Sequence, residues 1–150
     1  MRIGRRGVLM GGAAAAATAV VQPELAQAQG SAAPWVDDGP VIATRAELEA
    51  IAESWCAALV AHDPARVAIA PECVFAENDQ LIPLGQGAWQ TTLRFGRYRN
   101  FYCDPQAGEV GLVANSYEMG GGCVFVLRLK VNAAKQIVEA RVAQVPLVQA

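Results

Sequence analysis

Three consecutive polar residues, Glu77, Asn78 and Asp79, follow directly on an apolar run that begins at Cys73. A carboxylate at the end of a buried strand can act as a general base when apolar walls desolvate it, because burial disfavours the charged form and raises the pKa. An amide beside it can orient a substrate carbonyl but cannot abstract a proton. We therefore take Glu77 as the candidate catalytic base and Asn78 as a candidate ligand-binding residue.

The same residues also fit a turn. Asn tolerates the left-handed backbone conformation that tight turns require, so Asn78 could close a hairpin with the neighbouring acids in water. If the strand alternates regularly, Glu77 and Phe75 share one face, and Asn78 lies on the other. The sequence leaves both interpretations open, and it does not say which face of the strand lines a pocket.

Four aromatic residues are further candidates for ligand binding: Trp55, Trp89, Tyr98 and Tyr117. The two tryptophans, at positions where predicted helices carry apolar residues, would supply the apolar wall that a base needs. A buried tyrosine hydroxyl usually requires a hydrogen-bond partner, and we expect one tyrosine to pair with Glu77.

Metal chemistry has little support. The chain has one histidine, His62, and its four cysteines form no C-x-x-C pair, so we expect neither a zinc site nor another cofactor. His62 itself is predicted at a helix C-terminus, where it would complement the helix dipole. The four cysteines are Cys56, Cys73, Cys103 and Cys123, and two interpretations remain open for them: two disulfides, or buried free thiols that act as small apolar residues.

The N-terminus has the pattern of an export signal. Three arginines stand before residue 7, residues 7–21 form an uncharged run rich in Ala and Gly, and residues 26–28 offer an A-x-A cleavage site. The adjacent Arg5 and Arg6 resemble a twin-arginine signal. We therefore predict a signal peptide over 1–28 and a periplasmic or secreted mature protein.

Charge and length limit the partners. Removal of residues 1–28 takes away three Arg and one Glu, which leaves 122 residues with nine basic and thirteen acidic side chains. A net charge near −4 argues against nucleic acid or an anionic membrane as the partner, since both require clustered basic residues. The one basic cluster, Arg94, Arg97 and Arg99, is predicted to be a solvated helix end.

The mature chain is predicted to start with helices and to end with strands. Residues 29–44 are taken as a flexible lead-in and 45–146 as one domain, in which Thr44 and Glu47 form a capping box. Helices first and a strand meander afterwards indicate an α+β fold with helices on one face of an antiparallel sheet. The predicted helices are 45–61, a short one from Asp63-Pro64 and 86–95; the predicted strands are 73–78, 98–103, 109–118, 123–131 and 137–145.

This order of elements resembles the nuclear transport factor 2 superfamily, which includes SnoaL-like polyketide cyclases and ketosteroid isomerases. The local marks are Ala61-His62-Asp63, Phe75-Ala76-Glu77-Asn78, Pro83-Leu84-Gly85 and the strand end at 127–131. The combination of F-x-E-N-x-Q with P-L-G-x-G-x-W also resembles a group of uncharacterised exported domains in this superfamily. The resemblance implies a cone-shaped fold, with three N-terminal helices packed on a curved, mainly antiparallel sheet around a pocket.

The same resemblance places two substitutions at isomerase positions. Asn78 aligns with the general-base Asp of the isomerases, and Trp55 aligns with their helix Tyr. Both departures weigh against isomerase chemistry and leave Glu77 as the remaining carboxylate.

Three functions follow as expectations. The first is a cofactor-free isomerase, cyclase, dehydratase or hydrolase that uses Glu77. The second is a non-catalytic binding module for a small apolar molecule, and the third is a subunit that forms a homodimer, or binds a partner, through its sheet. Because Arg128 alternates with leucines, we expect its side chain on the outer face of the sheet, in an ion pair with Glu139 or Glu118.

Overall fold

A computed structural model describes residues 39–147. The predicted export signal and most of the predicted lead-in lie outside the described residues. Within residues 39–147, no helix is both long and apolar enough to cross a membrane. The elements are α1 (Arg45–Val60), a 3-10 turn (Pro64–Arg66), β1 (Ile69–Glu77), β2 (Gln80–Leu81), α2 (Ala88–Thr91), β3 (Thr92–Asp104), β4 (Glu109–Glu118), β5 (Gly121–Val131) and β6 (Ile137–Pro146).

The start of α1 confirms the predicted capping box. The Thr44 hydroxyl accepts a hydrogen bond from the Glu47 backbone N–H at 3.3 Å, and the Glu47 carboxylate accepts one from the Thr44 N–H at 2.7 Å. These two bonds satisfy backbone donors that the first helical turn leaves free. One face of the helix is buried and consists of Leu48, Ala52, Trp55, Cys56, Ala58 and Leu59.

The end of α1 is a Schellman motif. The His62 N–H donates to the Leu59 carbonyl at 3.0 Å, and the Asp63 N–H donates to the Ala58 carbonyl at 3.1 Å. This motif requires a left-handed residue after the helix, and His62 supplies it with φ of 55°. Asp63 then accepts from the Ala65 N–H at 3.0 Å and starts the 3-10 turn.

The prediction of three helices was wrong, since only α1 is a substantial helix. The element predicted from Asp63-Pro64 is a single 3-10 turn, because the backbone at Val67 is already extended and β1 begins at Ile69. The helix predicted over 86–95 ends at Thr91.

The cause of the second error is strand pairing. Trp89 and Leu93 have helical spacing, but from Thr92 onward the chain pairs with β4 as an edge strand. Leu93 is consequently exposed on β3. The basic cluster that was predicted at a helix end lies on this strand as well.

Six strands form one sheet in the order β2-β1-β6-β5-β4-β3. All neighbours are antiparallel except β1 and β6, which run parallel, so the sheet is mixed but mainly antiparallel. Alternate residues of β4 and β5 face α1 and are buried. The core between α1 and the sheet includes Trp55, Trp89, Phe125, Leu112, Leu127 and Leu129.

Candidate functional site

The structure confirms the turn interpretation for Asn78 and Asp79. Asn78 and Asp79 both have positive φ, 46° and 62°, and they connect β1 to β2. Two consecutive left-handed residues are typical of the two-residue hairpin turn whose backbone twist matches that of the flanking strands. The Asn78 side-chain oxygen also accepts from the Gln144 N–H at 3.1 Å, which ties the turn to β6.

Glu77 lies one residue before the turn and points to the inner side of the sheet. Its Oε2 atom accepts a hydrogen bond from the Ala88 backbone N–H at 2.7 Å, so a half-buried carboxylate caps the first turn of α2. Gly87, the residue before Ala88, has φ of 60°, and a Cβ there would lie 2.3 Å from the same Oε2. Glycine at this position is therefore what lets the carboxylate reach the helix.

His62 holds α2 from the other side. Its Nδ1 lies 2.6 Å from the carbonyl oxygen of Trp89, and because a carbonyl only accepts, Nδ1 must carry the proton. Glu77 and His62 thus bond to consecutive residues of one short helix. The candidate base Glu77 and the chain's one histidine therefore both serve to hold α2 in place.

Trp55 and Trp89 were predicted to form an apolar wall, and both rings are packed inside the hydrophobic core. Their rings meet edge to face, with centroids 4.8 Å apart. The Trp55 ring also lies beside the Phe75 ring, with centroids 6.0 Å apart. Both indoles are completely buried, and neither Nε1 atom has a hydrogen-bond partner among residues 39–147. The hydroxyls of Thr92 and Ser116 are also buried, and they too have no hydrogen-bond partner within residues 39–147.

The tyrosines lie away from Glu77, so the expected pairing with that carboxylate was wrong. Tyr98 is exposed on β3, and the Tyr117 ring lies under the Arg94 guanidinium at 3.4 Å. No tyrosine within residues 39–147 bonds to Glu77. The structure therefore separates Tyr98, Tyr117 and Asn78 from the buried tryptophans.

An open groove of about 360 Å³ lies between α1 and β3. We call it the α1–β3 groove; it is lined by Glu53, Cys56, Ala57, Val60, Arg94, Phe95 and Arg99. Its lining is mixed: Glu53, Arg94 and Arg99 are charged, and Cys56, Ala57, Val60 and Phe95 form the apolar part. The Phe95 ring packs edge to face on Phe125, with ring centroids 5.0 Å apart. The helix side is formed by Glu53, Ala57 and Val60, three exposed residues at i, i+4 and i+7. This spacing is the sequence signal that could have revealed the groove.

Arg99 shapes the rim of this groove. Its Nε donates to Glu53 at 3.1 Å, and its Nη1 donates to the carbonyls of Gly96 at 2.8 Å and Tyr98 at 3.0 Å. Those carbonyls belong to a bulge in β3, where Gly96–Tyr98 lie between the paired positions Phe95 and Arg99. The carbonyl bonds of Arg99 therefore hold the bulge, and its ion pair with Glu53 links β3 to α1 across the groove.

The Cys56 thiol in the groove is not a nucleophile at neutral pH. Burial raises its pKa to about 12, which the nearby Arg99 charge offsets only in part. Burial also raises the pKa values of Cys73, Cys103 and Cys123, and all four cysteines are free thiols. No group of three or more His, Cys, Asp or Glu in the described part of the chain is placed to hold a metal ion.

No protein-family model and no curated protein matches the chain. AusH from Aspergillus nidulans matches over 72% of this chain and 90% of its own, with a TM-score of 0.55 and 16% identity. A protein of unknown function with cystatin-like fold from Methylobium petroleophilum covers 74% of this chain and 84% of its own, with a TM-score of 0.55 and 15% identity.

A third match is BvnE pinacolase from Penicillium brevicompactum, with a TM-score of 0.50 and 14% identity over 67% of this chain and 84% of its own. The chain has the nuclear transport factor 2-like (cystatin-like) fold. This confirms the fold that the order of elements predicted. At these identities the likeness of the NTF2-like domain to its matches concerns the fold alone.

On the outer face of the NTF2-like sheet, one expected ion pair is confirmed. The Arg128 guanidinium bonds to Glu139 at 3.0 Å, as predicted, and also to Glu109 at 2.7 Å. The other expected partner, Glu118, instead accepts from the Thr91 hydroxyl at 2.8 Å. Arg128 also borders two hollows on this face, of about 370 and 400 Å³, and Asn78 lines the second of them.

Proposed function

We propose that this NTF2-like domain is a non-catalytic binding module for a small, mainly apolar molecule, held in the α1–β3 groove. The observation that carries the proposal is the groove itself, about 360 Å³ between Val60, Phe95 and the Cys56 thiol. Small-molecule sites typically measure about 300–1,000 Å³ and combine apolar walls with a few polar groups. Arg99 and Glu53 supply those polar groups at the rim.

The position of Glu77 favours binding over catalysis. Its Oε2 already accepts from the Ala88 N–H, and a proton transfer to that oxygen would remove the charge that stabilises the start of α2. The enzyme alternative, with Glu77 as general base, would need a substrate to compete with the Ala88 N–H for the Glu77 carboxylate. The fold does carry an enzyme in BvnE, which is named a pinacolase, but fold analogy alone does not choose a reaction.

The proposal is tested by titrating the protein with 1-octanol and recording backbone amide shifts by NMR. We expect saturable shifts centred on Cys56, Ala57 and Phe95. Ala57→Trp should abolish them, because Ala57 is an exposed groove residue and an indole there would fill the groove. Ala50→Trp is the matched control, since Ala50 is an exposed residue of the same helix that does not line the groove.

Two results would count against the binding module. The first is an absence of saturable shifts up to the solubility limit of octanol. The second is equal affinity in the Ala57→Trp and Ala50→Trp variants, which would place the ligand elsewhere.

A further inference from the structure

Gly111 is the third residue of β4, where its own backbone does not require glycine. A Cβ at this position would lie 3.7 Å from the Tyr102 Cβ and 3.9 Å from the Leu127 carbonyl oxygen, which are ordinary contact distances. Glycine inside a strand weakens it and often marks a place where a ligand approaches the backbone. The backbone and its neighbours would therefore accept a side chain at Gly111, and the glycine leaves the surface of the sheet open there.

Four outward-facing side chains surround Gly111. The register places Tyr102 opposite it on β3 and Arg128 opposite it on β5. Along β4, Glu109 and Val113 lie two residues away on the same face. Together they enclose a hollow of about 370 Å³, which we call the Gly111 hollow, and Asp104 and Val126 complete its border.

Tyr102 forms a wall of the hollow and does not cover it. Its hydroxyl accepts a hydrogen bond from the Asn100 side chain at 2.6 Å, so the ring extends along its own strand. The Tyr102 side chain remains 59% exposed. A tyrosine that folded across the strand onto Gly111 would close the hollow, and this one is held away.

The charges around the hollow are already paired. Arg128 bonds to Glu109 through Nε at 3.2 Å and Nη2 at 2.7 Å, and Lys130 lies 3.3 Å from Glu109. Asp104 accepts from the backbone N–H groups of Gln106 and Ala107, at 3.1 and 2.9 Å. A charged ligand would have to displace one of these partners, whereas a neutral ligand would not.

We propose that the Gly111 hollow is a second binding site, which takes a neutral planar ring compound of about the size of indole. The ring stands on its edge over the backbone at Gly111, with one face toward the Tyr102 ring and the other toward the Arg128 guanidinium, both of which stack well on aromatic faces. The outer face of the sheet carries this site and α1 packs on the other face, so it is independent of the α1–β3 groove.

The test is a titration with indole, followed by backbone amide shifts. We expect saturable shifts at Tyr102, Gly111 and Val113, and weaker binding of the charged analogues tryptamine and indole-3-acetate. Gly111→Val should fill the hollow and weaken indole binding at least tenfold. Its matched control is Gly122→Val, on the neighbouring strand, where a Cβ also meets only ordinary contacts, 3.5 Å or more.

Loss of indole binding can be distinguished from loss of folding. Because valine suits a strand better than glycine does, both variants should remain folded by circular dichroism. Indole binding that survives Gly111→Val, or tryptamine that binds as well as indole, would overturn the proposal. Neither result bears on octanol binding in the α1–β3 groove.

A second copy of the chain is the alternative occupant, and sedimentation velocity distinguishes it. If the wild-type protein were a dimer that Gly111→Val dissociates, and if indole failed to bind, the hollow would belong to a homodimer interface through the sheet. We expect instead that Gly111→Val leaves the sedimentation coefficient unchanged.

Discussion

At the scale of single residues, Gly87 is a position where even the smallest substitution should destabilise the fold. Its φ of 60° disfavours any side chain, and a Cβ would lie 2.3 Å from the Glu77 carboxylate. Gly87→Ala should therefore destabilise the fold by about 1–3 kcal/mol, measured by urea denaturation. Gly120→Ala is the control, since a Cβ there meets nothing within 4 Å. Equal unfolding midpoints for the two variants would show that Glu77 does not cap α2.

The residue scale also shows what sequence reasoning could reach. Asn78 was correctly weighed as a left-handed turn residue, because that preference is a property of the residue itself. The partner of Glu77 could not be foreseen, since it is a backbone N–H eleven positions later whose orientation depends on how α2 packs. Side-chain type identifies a candidate, whereas the tertiary contact decides its role.

At the scale of elements, we predict that Arg99 protects the edge of the sheet. β3 has a neighbour on one side only, and Arg99 occupies two carbonyls of its bulge, Gly96 and Tyr98. Bulges and charged residues on edge strands prevent pairing with other chains. Arg99→Ala should therefore increase self-association, measured by light scattering after gel filtration. Arg97→Ala removes the same charge from an exposed position of the bulge and should remain monodisperse; equal behaviour of both variants would refute this role.

Element boundaries were predicted best where contacts are local. The capping box located the start of α1, and β4 runs from Glu109 to Glu118 as the alternation predicted. Residues 86–95 were mispredicted because helical spacing of two apolar residues competed with pairing to a distant strand, and the pairing won. The exposed spacing on α1 indicates one side of the α1–β3 groove, but the other side lies far away in the sequence, on β3, so the groove itself was missed.

At the scale of the whole molecule, acid should destabilise the domain. The hydrogen bond from Arg141 lowers the pKa of Glu139, and the bond from the Thr44 backbone lowers that of Glu47. Carboxyl groups with a lowered pKa in the folded state stabilise it fully above their unfolded value of 4.5, and that contribution is lost as pH falls. Melting temperatures should fall below about pH 4.5. Glu139→Gln should make the fall of the melting temperature with decreasing pH less steep, and Glu72→Gln, at an exposed position, should not. Identical curves of melting temperature against pH for the two variants would contradict this prediction.

Export is the other prediction for the whole chain. Arg5 and Arg6 lie in a pattern typical of a twin-arginine signal. Changing both to Lys should leave the precursor in the cytoplasm, measured by cell fractionation and immunoblotting. Normal export of the double variant, together with its loss when the general secretion channel is blocked, would assign the signal to the other route.

The parallel pairing of β1 with β6 has a consequence for the order in which the domain forms. The strands from β3 to β6 are sequential neighbours and can pair by local hairpins, but β1 meets its parallel partner only through residues 137–142. Closing so long a loop is slow, and it must await synthesis of the last strand. A nascent chain that ends before Ile137 therefore leaves β1, which carries Glu77, paired with β2 alone. The domain completes its fold only after β6 has been synthesised.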